Sequence, residues 1–195
     1  MGCPVVALRD KFDGTAMTED GLENNPGVSR QALAALHQGA FGWALSLTDY
    51  DAQAAEDVMQ QAYLAVVEGS AHFDGNASLK TWLYAVIRNT ARRYQRTQQQ
   101  QRGLLDRLRQ TESPVDQVNE SDVEPQYSNV PVALRQAMKK LPARQKQVLE
   151  LVIDADFTLE QAASVLGVSL GSARTHYHRA KQSLRSELEN IDGSL

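Results

Sequence analysis

Between Leu159 and Lys181 the chain reads LEQAASVLGVSLGSARTHYHRAK, and few folds accommodate that text. Apolar residues recur at helical spacing on both sides of Gly167-Val168-Ser169, which predicts two short helices meeting at a tight turn. Glycine reaches backbone angles at such a turn that other residues resist, and two helices can then cross steeply. The second helix carries Arg174, His176, His178, Arg179 and Lys181, with no acid between Gly171 and Ser186. That is the layout of a helix-turn-helix, whose second helix enters the major groove of DNA. Ala173, Tyr177, Ala180 and Leu184 form its inward stripe, so Ser172, Thr175, His176 and Arg179 are predicted to face outward. Arg179, Lys181 and Arg185 suit phosphates. A plain helical hairpin with a solvated basic face is the alternative.

A net charge of −4 looks wrong for a nucleic-acid binder until it is divided along the chain. From Met1 to Leu79 there are three basic residues against eleven acids; from Lys80 to Arg109 there are eight against the single Asp106. Gln110 to Val130 holds five acids and no base, and the remainder holds nine bases and seven acids. Blocks of this kind mark separate surfaces with separate partners. The lone Cys3 rules out an intrachain disulfide and fits a reducing, cytoplasmic setting. No apolar run approaches the roughly 20 residues of a membrane helix, so no membrane insertion is expected, and no secretory signal is evident.

The periodicity predicts an all-α fold of two helical domains joined by a flexible acidic linker. Residues 1–28 lack a sustained apolar period and read as a disordered tail. Residues 29–96 form the first domain. Its helices begin near Ser29, run from about Ala52 to Val67, and run from a Ser78 cap to about Gln95. Residues 97–130 contain a glutamine run, an acidic stretch and Pro114 and Pro125, and read as linker. Residues 131–192 return to helix, with Pro142 in a first turn and a capping box at Thr158-Leu-Glu-Gln161.

Two further constellations stand out. In KTWLYAVIRNTARRYQR, from Lys80 to Arg96, Trp82, Tyr84 and Tyr94 alternate with Arg88, Asn89, Arg92, Arg93 and Arg96. Aromatic faces can stack unpaired bases while arginines hold the phosphates. Trp82 is either such a platform or a core anchor. In the second helix Glu56, Asp57, Gln60 and Gln61 make an acidic, amide-rich side that suits a basic protein surface or simply water. Catalysis finds little support: His37, His72, His176 and His178 have no metal-ligand spacing, and there is no phosphate-cradling glycine loop. No enzyme, metal or cofactor is expected.

Taken in order, AAEDVMQQAYLAVV, SLKTWLYAVIRNTARRYQR, and LPARQKQVLELV with FTLEQAASVLGVSLGSARTHYHRAKQSLR resemble one family, the extracytoplasmic-function sigma factors of bacterial RNA polymerase. The resemblance spans roughly Ser29 to Leu188 without the linker. It implies a non-enzymatic factor that binds core RNA polymerase and directs promoter-specific initiation. Residues 29–96 would be its region-two domain and 131–192 its region-four domain. It implies that Glu56, Asp57, Gln60 and Gln61 meet the polymerase clamp helices, with the flap as a second contact. The loop residues Asp74, Gly75, Asn76 and Ser78, with Lys80, Trp82, Asn89, Arg92 and Arg93, would capture the melted minus-ten strand. Ser172, Arg174, Thr175, His176, Arg179 and Lys181 would read the minus-thirty-five duplex. Promoter DNA is thus the second partner, and an anti-sigma factor is a possible third. Ala173 and His176 stand where members usually carry valine and arginine, and Gln61 where an acid is common. The rivals are a stand-alone helix-turn-helix regulator and a nucleic-acid-processing enzyme.

Overall fold

The computed structural model describes residues 17–18, 21–109 and 137–192. The acidic stretch 110–130 and most of the tail therefore lie outside the described residues. Among the described residues the body is built from the helices α1 Arg30–Leu47, α2 Ala52–Val67, α3 Leu79–Arg109, α4 Ala143–Ile153, α5 Leu159–Leu166 and α6 Leu170–Asp192, with residues 137–139 also helical. The all-α reading holds. The one ladder among the described residues is minimal: β1 Met17–Thr18 pairs antiparallel with β2 Gly21–Leu22, too short for an alternation that sequence could reveal.

Short polar side chains start most of the helices, as their spacing predicts. Ser29 Oγ accepts from Ala32 N, Asp51 Oδ1 from Ala54 N, Ser78 Oγ from Thr81 N and Ser169 Oγ from Ser172 N. Each satisfies a backbone donor that the first turn leaves orphaned. At α5 the capping box closes in both directions between Thr158 and Gln161. The α1–α2 turn is tighter than a polar break suggests. Asp49 and Tyr50 both sit at positive φ (54° and 66°), so two L-residues hold the left-handed region in succession.

α1, α2 and the first half of α3 enclose Trp43, Val58, Met59, Leu83, Tyr84 and Ile87. Trp43 anchors the packing: its Nε1 donates to Tyr84 O at 3.2 Å, and the two rings stack at 6.2 Å. Val148, Leu151, Phe157 and Leu166 of the C-terminal half belong to this same apolar cluster. The two halves thus meet along one seam, where α3 lies on α5 and α1 on α4.

Two expectations need correcting. Residues 22–28 are not a disordered tail: Leu22, Asn25 and Val28 are buried, and Asn25 hydrogen-bonds across more than 40 positions. Period-based reading misses such a segment because three scattered anchors make no period. The third helix also passes the expected end at Gln95 and runs to Arg109, taking the first part of the predicted linker. Glutamine and arginine are good helix formers, and no proline intervenes before Pro114.

Candidate nucleic-acid interface

The turn before α6 is built around Gly167, at φ 58°, a left-handed residue just past the last turn of α5. Ala173 and Ala180 are fully buried against the rest of the C-terminal half, which fixes the roll of α6. Ser172, Thr175 and Arg179 then share one exposed face, with His176 half-buried beside them. Arg174 and Lys181 are exposed on a neighbouring face. Lys181 Nζ lies 5.5 Å from the Tyr177 ring centroid, while Thr175 Oγ1 donates to Gly171 O at 3.0 Å. Nearest the turn, the Ser172 and Ser169 hydroxyls are 2.9 Å apart. The exposed surface of the helix thus carries the hydroxyls of Ser172 and Thr175 in its first turns together with Arg174, and Arg179 and Lys181 further along.

α3 sorts its residues by face. Trp82, Asn89, Arg93 and Arg96 follow one another at helical spacing, with Arg92 adjacent, and the four polar members are exposed. Tyr84 and Arg88 do not join them. Tyr84 is a core residue, and Arg88, only 4% exposed, is buried beneath. Burial, with the like charges of Arg144 and Arg92, pulls its guanidinium down to about 10. Lys80 also departs from the expected cluster. It points to the other side of α3, where its Nζ donates to Ala155 O at 2.6 Å and lies 4.8 Å from the Phe157 ring centroid. Tyr94 turns toward α2, its hydroxyl donating to Asp57 Oδ2 at 3.4 Å. Burial and the Asp57 carboxylate both push that phenol up.

The loop before α3 is held from both ends. Asp74 accepts from Asn76 N (3.1 Å) and Asn76 Nδ2 (2.7 Å), and Gly75 takes φ 75° between them. These two bonds from Asn76 hold the Asp74 carboxyl below its usual range. Asp74, Gly75 and Asn76 are all exposed. The Ser78 hydroxyl is occupied in capping α3 and in a 2.8 Å contact with Thr81 Oγ1. Trp82 proves to be a strut: Nε1 donates to His72 O at 3.0 Å and the ring packs on Phe73 at 5.2 Å. It fixes the loop to the helix and stays half-buried.

On α2, Glu56, Gln60 and Gln61 are exposed and Asp57 is half-buried. Leu64 sits amid this face, 43% exposed. It lies one turn beyond Gln60 and Gln61, so the spacing that defines the polar side also marks it. Among the described residues no three His, Cys, Asp or Glu side chains converge as a metal site, and no helix is long and apolar enough to cross a membrane.

The chain matches the family model described as Sigma-70 region 2 over residues 33–101, and that of Sigma-70 region 4 over residues 132–184. The RNA polymerase sigma factor YlaC of Bacillus subtilis is 28% identical over 141 residues, spanning 70% of this chain and 78% of that one. The ECF RNA polymerase sigma factor EcfG of Rhodopseudomonas palustris is 27% identical over 154 residues, 78% of this chain and 80% of that one. SigF of Caulobacter vibrioides, another ECF sigma factor, is 25% identical and spans 89% of this chain and 92% of its own. Among solved structures, the sigma factor RpoE from Bartonella quintana, in complex with the anti-sigma factor NepR, superposes with a TM-score of 0.62 at 23% identity. The match covers 82% of this chain and 96% of RpoE. Two sigma-70 regions in this order define the class as a transcription initiation factor of RNA polymerase. Within that class, the chain belongs to the extracytoplasmic-function sigma factors.

Proposed function

We propose that the protein turns core RNA polymerase into a promoter-specific holoenzyme by gripping one promoter at two places. Residues 29–96 act as the strand-capturing domain and residues 131–192 as the duplex-reading domain, with 97–130 between them. In the first, the exposed loop Asp74-Gly75-Asn76 and the Asn89, Arg92 and Arg93 face of α3 receive the melted minus-ten strand. Ser78 and Trp82 position that loop, and Lys80 joins once released from Ala155. In the second, Ser172, Thr175, His176 and Arg179 read the minus-thirty-five duplex while Arg174 and Lys181 hold its phosphates. Glu56, Asp57, Gln60 and Gln61, now with Leu64, dock on the clamp helices, and the C-terminal half contacts the flap. The setting is the cytoplasm, where the polymerase works.

One observation carries this reading: two exposed basic faces, on α3 and α6, occur on a chain whose net charge is negative. Structural neighbours at the same fold level, RpoE with NepR and CnrH with CnrY (TM-score 0.54, 21% identity), were solved with bound partners. An anti-sigma protein is accordingly a fitting antagonist here too. Transcription in vitro with core enzyme and this chain is the direct test. A transcript that starts at one promoter and needs the chain is expected. Absence of both a transcript and a complex with core overturns the reading, and a mobility shift on duplex alone at physiological salt favours a stand-alone regulator.

A further inference from the structure

The segment before α1, LENNPGV from Leu22 to Val28, reaches the loop that precedes α3 although nearly 50 positions separate them. Its two apolar ends are buried, and Leu22 N donates to Val28 O at 3.2 Å, closing the segment on itself. Pro26 biases the residue before it towards extended backbone. That residue is Asn25, fully buried, whose Nδ2 donates to Val66 O at 2.7 Å and so ties the segment to the last turn of α2.

The remaining bonds of Asn25 flank a single residue. Its Nδ2 also donates to Ala71 O at 2.9 Å, and its Oδ1 accepts from Phe73 N at 2.8 Å. A parallel strand alongside would bond the same two groups, the carbonyl before His72 and the amide after it, so one carboxamide does the work of a neighbouring backbone. The carbonyl of His72 itself is taken by Trp82 Nε1 at 3.0 Å. The Phe73 ring packs on Trp82 and also lies against Gly27, where a Cβ would stand 3.3 Å from Phe73 Cδ1. Asp74, Gly75 and Asn76 follow at once, all exposed. The loop therefore leaves two anchors: Trp82 belongs to α3, and Asn25 belongs to a segment that comes before the whole helical body.

We propose that Asn25 and Gly27 are positioning residues for the minus-ten strand. Segment 22–28 fixes Phe73, so that Asp74-Gly75-Asn76 already has its receiving shape when an unpaired base arrives. Neither residue needs to touch the strand. A loop held in one shape binds with its intrinsic affinity, whereas a loop in that shape a tenth of the time binds about tenfold more weakly. The role in promoter opening rests on the sigma-factor reading; the hold on the loop does not. A segment that only stabilised the fold would lower core docking, duplex reading and strand capture together, in proportion to the folded fraction. Positioning lowers strand capture while the other two stand.

The test uses the full chain with Gly27→Val and, separately, Asn25→Ala. Gly27 is exposed, and a side chain there presses on the Phe73 ring while removing none of Asn25's bonding groups. Amide hydrogen exchange at Phe73 and Asn76 in the free chain is expected to quicken at least about tenfold in both variants. In Gly27→Val, exchange within α1 should stay as it is. With core polymerase, and normalised to the fraction bound to core, both variants should bind a single-stranded oligonucleotide copying the minus-ten element of a promoter the wild-type holoenzyme transcribes about tenfold more weakly. Their preference among its bases should fall as well, with binding to a minus-thirty-five duplex unchanged. If Asn25→Ala does not fold, Gly27→Val carries both readouts. Unaltered exchange at Phe73 in Gly27→Val overturns the proposal, as does quickened exchange with strand affinity intact, or an equal fall in all three activities. A wild-type chain that forms no transcribing holoenzyme overturns the functional reading alone, and the exchange arm then decides whether the segment holds the loop.

Discussion

Asn25→Ala is expected to destabilise the N-terminal half by about 3–5 kcal/mol, because it removes at once three hydrogen bonds that a fully buried side chain makes to the backbone. Asn25 is fully buried. Its Nδ2 donates to Val66 O at 2.7 Å and Ala71 O at 2.9 Å, and its Oδ1 accepts from Phe73 N at 2.8 Å. Val66 is in the last turn of α2, whose carbonyls have no partner within their own helix. Asn24 serves the next one, Val67 O, at 2.8 Å. Two adjacent asparagines from before α1 thus cap the C-terminus of α2, a task more often left to residues that follow the helix. The approach is close: a Cβ on Gly69 would come within 2.8 Å of Asn24 Cβ, and Gly69 holds φ 75°. Guanidinium unfolding followed by tryptophan fluorescence reads the change, since Trp43 and Trp82 both lie in that half. A free-energy loss below about 0.5 kcal/mol, an ordinary surface effect, would remove the segment's structural role. Loss of the Phe73 bond should also loosen the loop at Asp74 to Asn76, so promoter opening should fall further than binding to core.

The paired replacement of Arg92 and Arg93 by alanine, and separately of Arg174 and Arg179, should each lower promoter-directed transcription by about 30-fold to 1000-fold. That is the loss of two arginine contacts at about 1–2 kcal/mol apiece. All four side chains are exposed, so thermal stability should move little. The two doublets should differ in kind. On the proposed function Arg92 and Arg93 face the melted strand, so their loss should impair opening while leaving binding to a minus-thirty-five duplex intact. For the second pair, Arg174→Ala alone should weaken binding evenly across sequences and reduce the salt dependence by about one counterion. Arg179→Ala, on the face shared by Ser172 and Thr175, should also relax sequence preference. Competition binding of holoenzyme against promoter variants at several salt concentrations separates the two. Unchanged transcription from both doublets would leave neither basic face with a role.

What sequence alone revealed follows from range. Caps such as Ser29, Ser78, Thr158 and Ser169 act on donors three residues away, so their signal is local and the helix starts were readable. The inward stripe of α6 was readable for the same reason, since Ala173 and Ala180 repeat at helical spacing. Asn25 was not, because its partners stand 41 to 48 positions away. Lys80 illustrates a different limit. Composition placed it in a basic cluster, but helical geometry turns it from Asn89 and Arg93 toward Ala155, and only the packed seam shows what it meets. Tyr84 and Arg88 were grouped with the nucleic-acid face on alternation alone, whereas burial assigns them inward. Trp82 could have been platform or anchor, and its bond to His72 O makes it a brace.

α3 is one uninterrupted rod of 31 residues, about 46 Å from end to end. Its head is held by the C-terminal half at Lys80 and Tyr84, and its middle leaves Arg92 and Arg93 exposed. A stiff lever cannot tilt at one station without moving the other. On the proposed function, a strand seated midway along the rod would therefore bear on the contacts at its head as well.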